Sequence, residues 1–203
     1  RDICDQYDIL LIFDEVITAF GRMGANTGSE AFGVKPDIIN VAKQLTNGAM
    51  PMGAVVVDQS IYDCFMDTSA PHYALEVPHG YTYSAHPLAC AAGLASLDIL
   101  EKEQMIDRVK TVAPVFEQAI HQLANTPSVV DIRNYGLAGG ITLAAHEGEP
   151  LRRPFEVAMS MWRKGFYVRY GGDTIQLGLP FIVEQAQIDS LMNALGESIS
   201  KCA

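Results

Sequence analysis

Cysteine is scarce in this chain and scattered: Cys4, Cys64, Cys90 and Cys202 form no C-x-x-C pair. That removes the common zinc and dithiol redox motifs and suits a reducing, cytoplasmic setting. Basic residues are also few. Lys and Arg number 14 against 24 Asp and Glu, for a net charge of −10, so neither a nucleic-acid backbone nor an anionic membrane surface is an expected partner. No apolar run reaches membrane-spanning length and no basic-then-apolar leader opens the sequence; the expectation is a soluble protein. Internal repeats, low-complexity tracts and a G-x-x-x-x-G-K-[ST] phosphate loop are missing as well. There is no initiator Met either: Arg1-Asp2-Ile3-Cys4-Asp5 reads as the tail of an amphipathic helix, and the expectation is a piece of a longer chain.

What is present suffices for a core, since 49% of the 203 residues are hydrophobic. Strands are predicted over 9–13, 38–41 and 53–57, with a Gly-rich loop over 21–28, a short helix capped by Ser29 and ending at Phe32, and a turn over 46–51. Residues 58–66 read as helix, and 71–87 as a long structured loop of the kind that is often functional. From His86 onward, Ala89, Ala92, Gly93, Leu97 and Leu100 fall at helical spacing, and their small size predicts a helix packed closely on the sheet. A second amphipathic helix carries Ile106, Val109, Val112, Val115, Phe116, Ile120 and Leu123, with an interruption expected at Pro114. It is expected to join two domains, 1–104 and 105–203. Beyond Pro127 come short strands near 129–134, 140–144, 166–170 and 174–178, and helices near 154–164 and 184–200, an α+β pattern.

Two of the apolar strands end in chemically useful residues. Leu10-Leu11-Ile12-Phe13 runs into Asp14, and Ile38-Ile39-Asn40-Val41 runs, one residue later, into Lys43. The two are 29 residues apart, about the length of a β-α-β unit, which would bring both to one rim of a parallel sheet, where ligands of open α/β sheets bind. A carboxylate and an amine so placed are what an enzyme supplies to pyridoxal phosphate: the first pairs with the ring nitrogen and keeps it protonated, the second bonds to the aldehyde. On Leu10 to Glu15 alone, a Walker B strand holding magnesium in a nucleotide hydrolase is an equal alternative. A lysine after a strand is in most proteins merely solvated. A non-catalytic remnant is the third reading.

Asp14-Glu15-Val16 with Phe20-Gly21-Arg22, then Ala42-Lys43 before Leu45-Thr46-Asn47-Gly48 and Pro51-Met52-Gly53, resembles the class III (omega) aminotransferases, which are fold-type I pyridoxal phosphate enzymes. His79-Gly80-Tyr81-Thr82-Tyr83-Ser84-Ala85-His86-Pro87 resembles the family's loop that crosses the dimer interface. Within the class, Gly165-Phe166-Tyr167-Val168-Arg169-Tyr170-Gly171-Gly172, Val130-Asp131-Ile132-Arg133-Asn134 and Gly136-Leu137-Ala138-Gly139 are similar to the omega-amino acid (β-alanine) to pyruvate aminotransferases. The likeness covers essentially the whole chain. It implies an α/β fold: the later part of a fold-type I large domain followed by an α+β C-terminal small domain.

The same resemblance implies roles. Asp14 is the ring-nitrogen partner, Val16 packs on a ring face, Lys43 is the covalent attachment point, and Thr82, with Tyr81 beside it, serves the cofactor phosphate of a neighbouring subunit, hence a homodimer or higher assembly. Arg169 binds the substrate carboxylate and swings aside for apolar amines; a guanidinium pairs a carboxylate bidentately, and the glycines after it leave room. The cofactor implied is pyridoxal 5'-phosphate, the amino donor an omega-amino acid or amine, the acceptor pyruvate. The family's Gly-rich phosphate cup and its ring-stacking aromatic lie upstream of the Asp strand, so the 203 residues alone are expected to be inactive. On residue chemistry alone, Thr82 reads as a turn hydroxyl and Arg169 as a surface arginine.

Other residues read as structural. His72, His79 and His86 recur every seven residues, but Pro71, Pro78, Gly80 and Pro87 forbid the helix that would align them for a metal. Trp162 with Met159 and Met161 is expected to pack inside the smaller domain, and the acidic residues near 98–103 to form a solvated face.

Overall fold

The computed structural model describes residues 1–67, 71, 73 and 80–202. They fall into two compact units: Arg1–Gly21 with Ala25–Ile106, and Arg22–Gly24 with Asp107–Ala203. The fold of the chain is α/β, consistent with fold-type I architecture.

The first unit opens with helix α1 (Asp2–Gln6) and strand β1 (Ile12–Asp14). The strand starts later than the apolar run suggests because two of its predicted residues bond elsewhere. The Ile9 N–H donates to the Cys4 carbonyl at 2.9 Å, and the Leu11 N–H donates to the Asp37 carboxylate at 2.7 Å. That amide, together with the Arg1 guanidinium at 2.8 Å, holds the Asp37 carboxyl below the usual carboxylate range.

Helix α2 (Gly28–Phe32) is capped not by Ser29 but by Thr27, whose extended backbone lets Oγ1 accept from the Glu30 N–H at 3.0 Å. Ser29 lies inside the first turn and donates its hydroxyl to the Val34 carbonyl at 2.7 Å. Strand β2 (Ile38–Val41) runs parallel to β1 with Asp14 opposite Asn40, and β3 (Ala54–Val57) returns antiparallel to β2. The sheet order is β1-β2-β3. A parallel pair needs a crossover, which residues 15–37 with α2 provide.

Helix α3 (Gln59–Met66) follows the Asp58 cap, and α4 (Pro87–Lys102) follows His86, whose Nδ1 accepts from the Leu88 N–H at 3.2 Å. The small residues of α4 do mark a close approach at Gly93. A side chain at Gly93 would begin 3.6 Å from both the Leu45 carbonyl and the Met52 sulfur. Small size signals proximity to some backbone; it cannot say which.

The second unit is built on strands β4 (Val129–Tyr135), β5 (Ala138–Leu143), β6 (Arg169–Gly171) and β7 (Thr174–Gly178), antiparallel in the order β4-β5-β7-β6. With them go helices α5 (Met105–His121), α6 (Arg152–Arg163) and α7 (Gln185–Lys201). Contrary to expectation, α5 continues through Pro114. Pro114 sits on the exposed side of the helix, where the carbonyl it leaves unpaired meets water.

Strand β6 begins three residues later than predicted because residues 164–166 close helix α6. Gly165 takes φ 86°, and the Gly165 and Phe166 N–H groups return to the Trp162 and Met161 carbonyls, each at 3.0 Å. Between β4 and β5, Gly136 has φ 55° and admits no side chain: a Cβ would lie 2.7 Å from the Met23 Cα and against the Arg22 carbonyl. The core of this unit is large, with Phe116, Ile120, Ile141, Met161, Ile175 and Leu195 fully buried. Trp162 does not join it. The buried stripe of α6 is Pro154, Val157, Ala158 and Met161, and Trp162, one residue round the helix, is 64% exposed beside Tyr167.

Candidate active site

Asp14 is the last residue of β1, exposed, with its Oδ1 accepting from the Val16 N–H at 3.1 Å. Lys43 lies just beyond the end of the neighbouring parallel strand and opens a short 3-10 turn, Lys43–Leu45. The structure therefore brings both to the carboxyl ends of adjacent parallel strands, the rim anticipated from their spacing. Neither makes an ion pair among the described residues. Val16 follows directly, half-buried.

The turn that carries Lys43 is held firmly. Lys43 has φ 40°, a left-handed conformation uncommon for a residue with a side chain. Such a conformation persists only where neighbours over-determine it. Here the Gly48 N–H donates to the Lys43 carbonyl at 3.3 Å, the buried Thr46 donates Oγ1 to the Met50 carbonyl at 2.6 Å, and the Ser96 hydroxyl of α4 donates to the Gln44 carbonyl at 3.1 Å. Leu45 joins Ala19 and Val41 in a small buried cluster. With Leu45 turned inward, the Lys43 side chain stands exposed.

Glu15, which the sequence reading passed over, is 2% exposed. Its carboxylate accepts from the Gly28 N–H, from the Ser29 N–H at 2.9 Å and from the Thr18 hydroxyl at 3.3 Å. Among the described residues no cation pairs with this buried carboxylate, which is tolerated because free N–H groups at a helix start satisfy it. The signal available was an acid directly after a strand-end acid and ahead of a Thr-Gly-Ser helix start.

Thr82 and Tyr81 are exposed, in a turn closed by the Ser84 N–H donating to the Tyr81 carbonyl at 3.0 Å. With Pro51, Met52 and Gly53, the turn residues Tyr81, Tyr83 and His86 line a hollow of ≈ 330 Å³. Of the three histidines in the sevenfold spacing, His86 is a helix cap, while His72 and His79 lie outside the described residues, as do 74–79 of the long loop. Arg169 opens β6 in the second unit, opposite Gln176 and exposed. Among the described residues, no group of three His, Cys, Asp or Glu could hold a metal, and no helix is long and apolar enough to cross a membrane.

Residues 1–199 match the family model described as aminotransferase class-III. The chain is 55% identical over 203 residues to a beta-alanine–pyruvate aminotransferase of Pseudomonas aeruginosa, an alignment that covers 100% of this chain and 45% of that protein. It is 54% identical over 201 residues to an omega-amino acid–pyruvate aminotransferase of Pseudomonas putida, covering 99% and 45%. Among solved structures, an amine transaminase from an uncultivated Pseudomonas species in its PLP-bound form superimposes with TM-score 0.90 at 35% identity, covering 100% of this chain and 47% of that one. The chain thus spans about half the length of the curated relatives it matches.

Proposed function

This chain belongs to the class-III aminotransferase family, and from that premise we propose that it is part of a pyridoxal-phosphate-dependent transaminase that moves an amino group from an omega-amino acid or amine to pyruvate. One observation carries the reading: an acid and an amine, neither paired with an opposite charge among the described residues, end two adjacent parallel strands. The residues present fit the cofactor. Asp14 offers an acceptor for a protonated ring nitrogen, Lys43 an amine on a constrained turn, Val16 an apolar surface for the ring, and Thr82 with Tyr81 a hydroxyl-bearing turn for a phosphate of a neighbouring subunit in a homodimer. Family membership sets aside the Walker B alternative.

When bound, pyridoxal 5'-phosphate supplies the electron-withdrawing ring that takes up the electrons of the substrate's amine-bearing carbon. Asp14 keeps its negative charge against the ring nitrogen throughout. Lys43 would hold the cofactor through its amine, and its Nζ would take the proton from the substrate's amine-bearing carbon and hold it for return. Arg169 pairs the substrate carboxylate. Pyruvate accepts the amino group and leaves as alanine. In this reading residues 1–104 belong to the larger, cofactor-binding domain and 105–203 to the smaller one. In this reading the 203 residues alone turn over poorly, since the resemblance puts a Gly-rich phosphate cup and a ring-stacking aromatic outside them.

Borohydride reduction of the full-length protein with pyridoxal phosphate tests the assignment. The cofactor should be trapped on the peptide that contains Lys43, and Lys43→Ala should abolish trapping and lower turnover by several orders of magnitude while thermal unfolding of the apoprotein is unchanged. Trapping that survives the substitution would remove Lys43 from its role. A full-length protein that never takes up the cofactor would favour the non-catalytic reading.

A further inference from the structure

We propose that Glu15 is a positioning residue for Asp14: its buried carboxylate fixes the chain immediately after Asp14 and so sets where the Asp14 carboxylate stands. Adjacent residues of a strand point to opposite faces, and here one faces solvent while the other is enclosed. Glu15 is anchored on every side. Its N–H donates to the Asn40 carbonyl at 2.9 Å, carrying the β1-β2 pairing one step past Asp14. Its carbonyl accepts from the Ala19 N–H at 3.1 Å. Its carboxylate gathers Gly28, Ser29 and Thr18. The Asp14 carboxylate, by contrast, accepts one hydrogen bond among the described residues, from the Val16 N–H.

Thr27 caps α2 through the Glu30 N–H, and Glu15 takes the Gly28 and Ser29 N–H groups that Thr27 leaves free. What Glu15 adds is a tie between the helix start and the residue next to the proposed ring-nitrogen partner. Both carboxylate oxygens are engaged by donors, so an amide in its place would turn an N–H toward another N–H. The segment 15–18 must then shift, and Asp14 with it.

The inference rests on the reading of Asp14 given above, and the test separates the two. In the full-length protein, Glu15→Gln should weaken pyridoxal phosphate binding to the apoprotein about ten-fold, the low end of what is lost when a group orienting a ligand's direct partner is removed. It should also shift the visible absorbance of the bound cofactor. Asp14→Asn should weaken binding further, and Glu15→Gln combined with Asp14→Asn should bind no worse than Asp14→Asn alone, because the first acts through the second. A purely structural Glu15 would lower the melting temperature of the apoprotein and leave affinity and absorbance unchanged; that pattern overturns the proposal, as does an affinity loss that adds in full to that of Asp14→Asn. Unchanged binding in Asp14→Asn would instead overturn the reading of Asp14 itself. Should Glu15→Gln fail to fold, Thr18→Val removes one donor and leaves two: an affinity loss of about three-fold supports the proposal, the scale of one neutral hydrogen bond, and none overturns it.

Discussion

The two units differ in what they bury. All of the largest fully buried side chains among the described residues, from Val109 to Ile199, belong to the second unit. The first unit has a cluster of Ala19, Val41 and Leu45 with Phe20, Ile39 and Met52 half-buried around it. Residues of its outer strands are instead exposed: Val55 is 66% exposed and Ile12 54%. Among the described residues, the outer edges of β1 and β3 are unpaired. A three-stranded sheet with so small a buried cluster has little independent stability. Yet this unit carries Asp14, Lys43 and Thr82, the residues proposed for the cofactor, while Arg169 belongs to the filled one. The residues proposed for the cofactor therefore sit on the unit that buries fewer large side chains among the described residues.

The largest effect expected from this contrast is in the second unit. Phe116→Ala in the 203-residue chain should cost about 3–5 kcal/mol, the range for emptying a filled aromatic site. The ring abuts β5 so tightly that a side chain at Gly139 would begin 2.9 Å from it, which leaves little scope for collapse. Urea unfolding followed by the fluorescence of Trp162, the sole Trp, reports this unit. Hydrogen exchange gives the other side of the comparison: amides of β1 and β2 should exchange faster than those of α7. Equal protection in both units would break the contrast.

Sequence patterning reached much of this architecture, and its failures have identifiable causes. The strands leading to Asp14 and Lys43 were legible because each is a short apolar run bounded by turn residues. The start of β1 was not, since it depends on Asp37, 26 residues from Leu11, and long-range hydrogen bonds leave no local pattern. Pro114 misled because a proline's effect on a helix depends on whether the orphaned carbonyl faces water, a tertiary property. Trp162 misled because hydrophobicity does not by itself say on which side of a stripe a residue falls. Glu15 was hidden behind Asp14, and only the fold shows that one acid of the pair points out and the other in.

A middle-sized effect sharpens the comparison. Val55→Thr keeps shape and strand preference while adding a hydroxyl. In the 203-residue chain, where Val55 is exposed, the change should be within about 0.5 kcal/mol. If the rest of the full-length polypeptide covers β3, the same hydroxyl is buried there and should cost about 1–3 kcal/mol. Denaturation of both lengths, wild type and variant, measures the difference. An equal, small effect in both would mean that β3 stays in water and that its valines are not awaiting cover.

The smallest expected effect concerns an edge of the first unit held by charge. Asp58 caps α3, accepting from the Ser60 N–H at 3.1 Å and hydroxyl at 2.9 Å, and pairs with Lys35 at 2.6 Å. The lysine first, then the two serine groups, hold the Asp58 carboxyl well below the usual carboxylate range. A carboxyl whose folded pKa is depressed stabilises the fold fully above its unfolded value of about 3.9 and loses that contribution as pH falls through the lower folded value. Asp58→Asn keeps an acceptor for the helix cap and removes the charge, so its melting temperature should lie slightly below wild type at neutral pH, with the gap closing as the solution is acidified below about pH 3.9. Lys35 is 82% exposed, so added salt should narrow the gap as well. A gap that persists unchanged in acid would assign the stabilisation to the cap alone, and the edge of this thin unit would then be held by backbone geometry instead of charge.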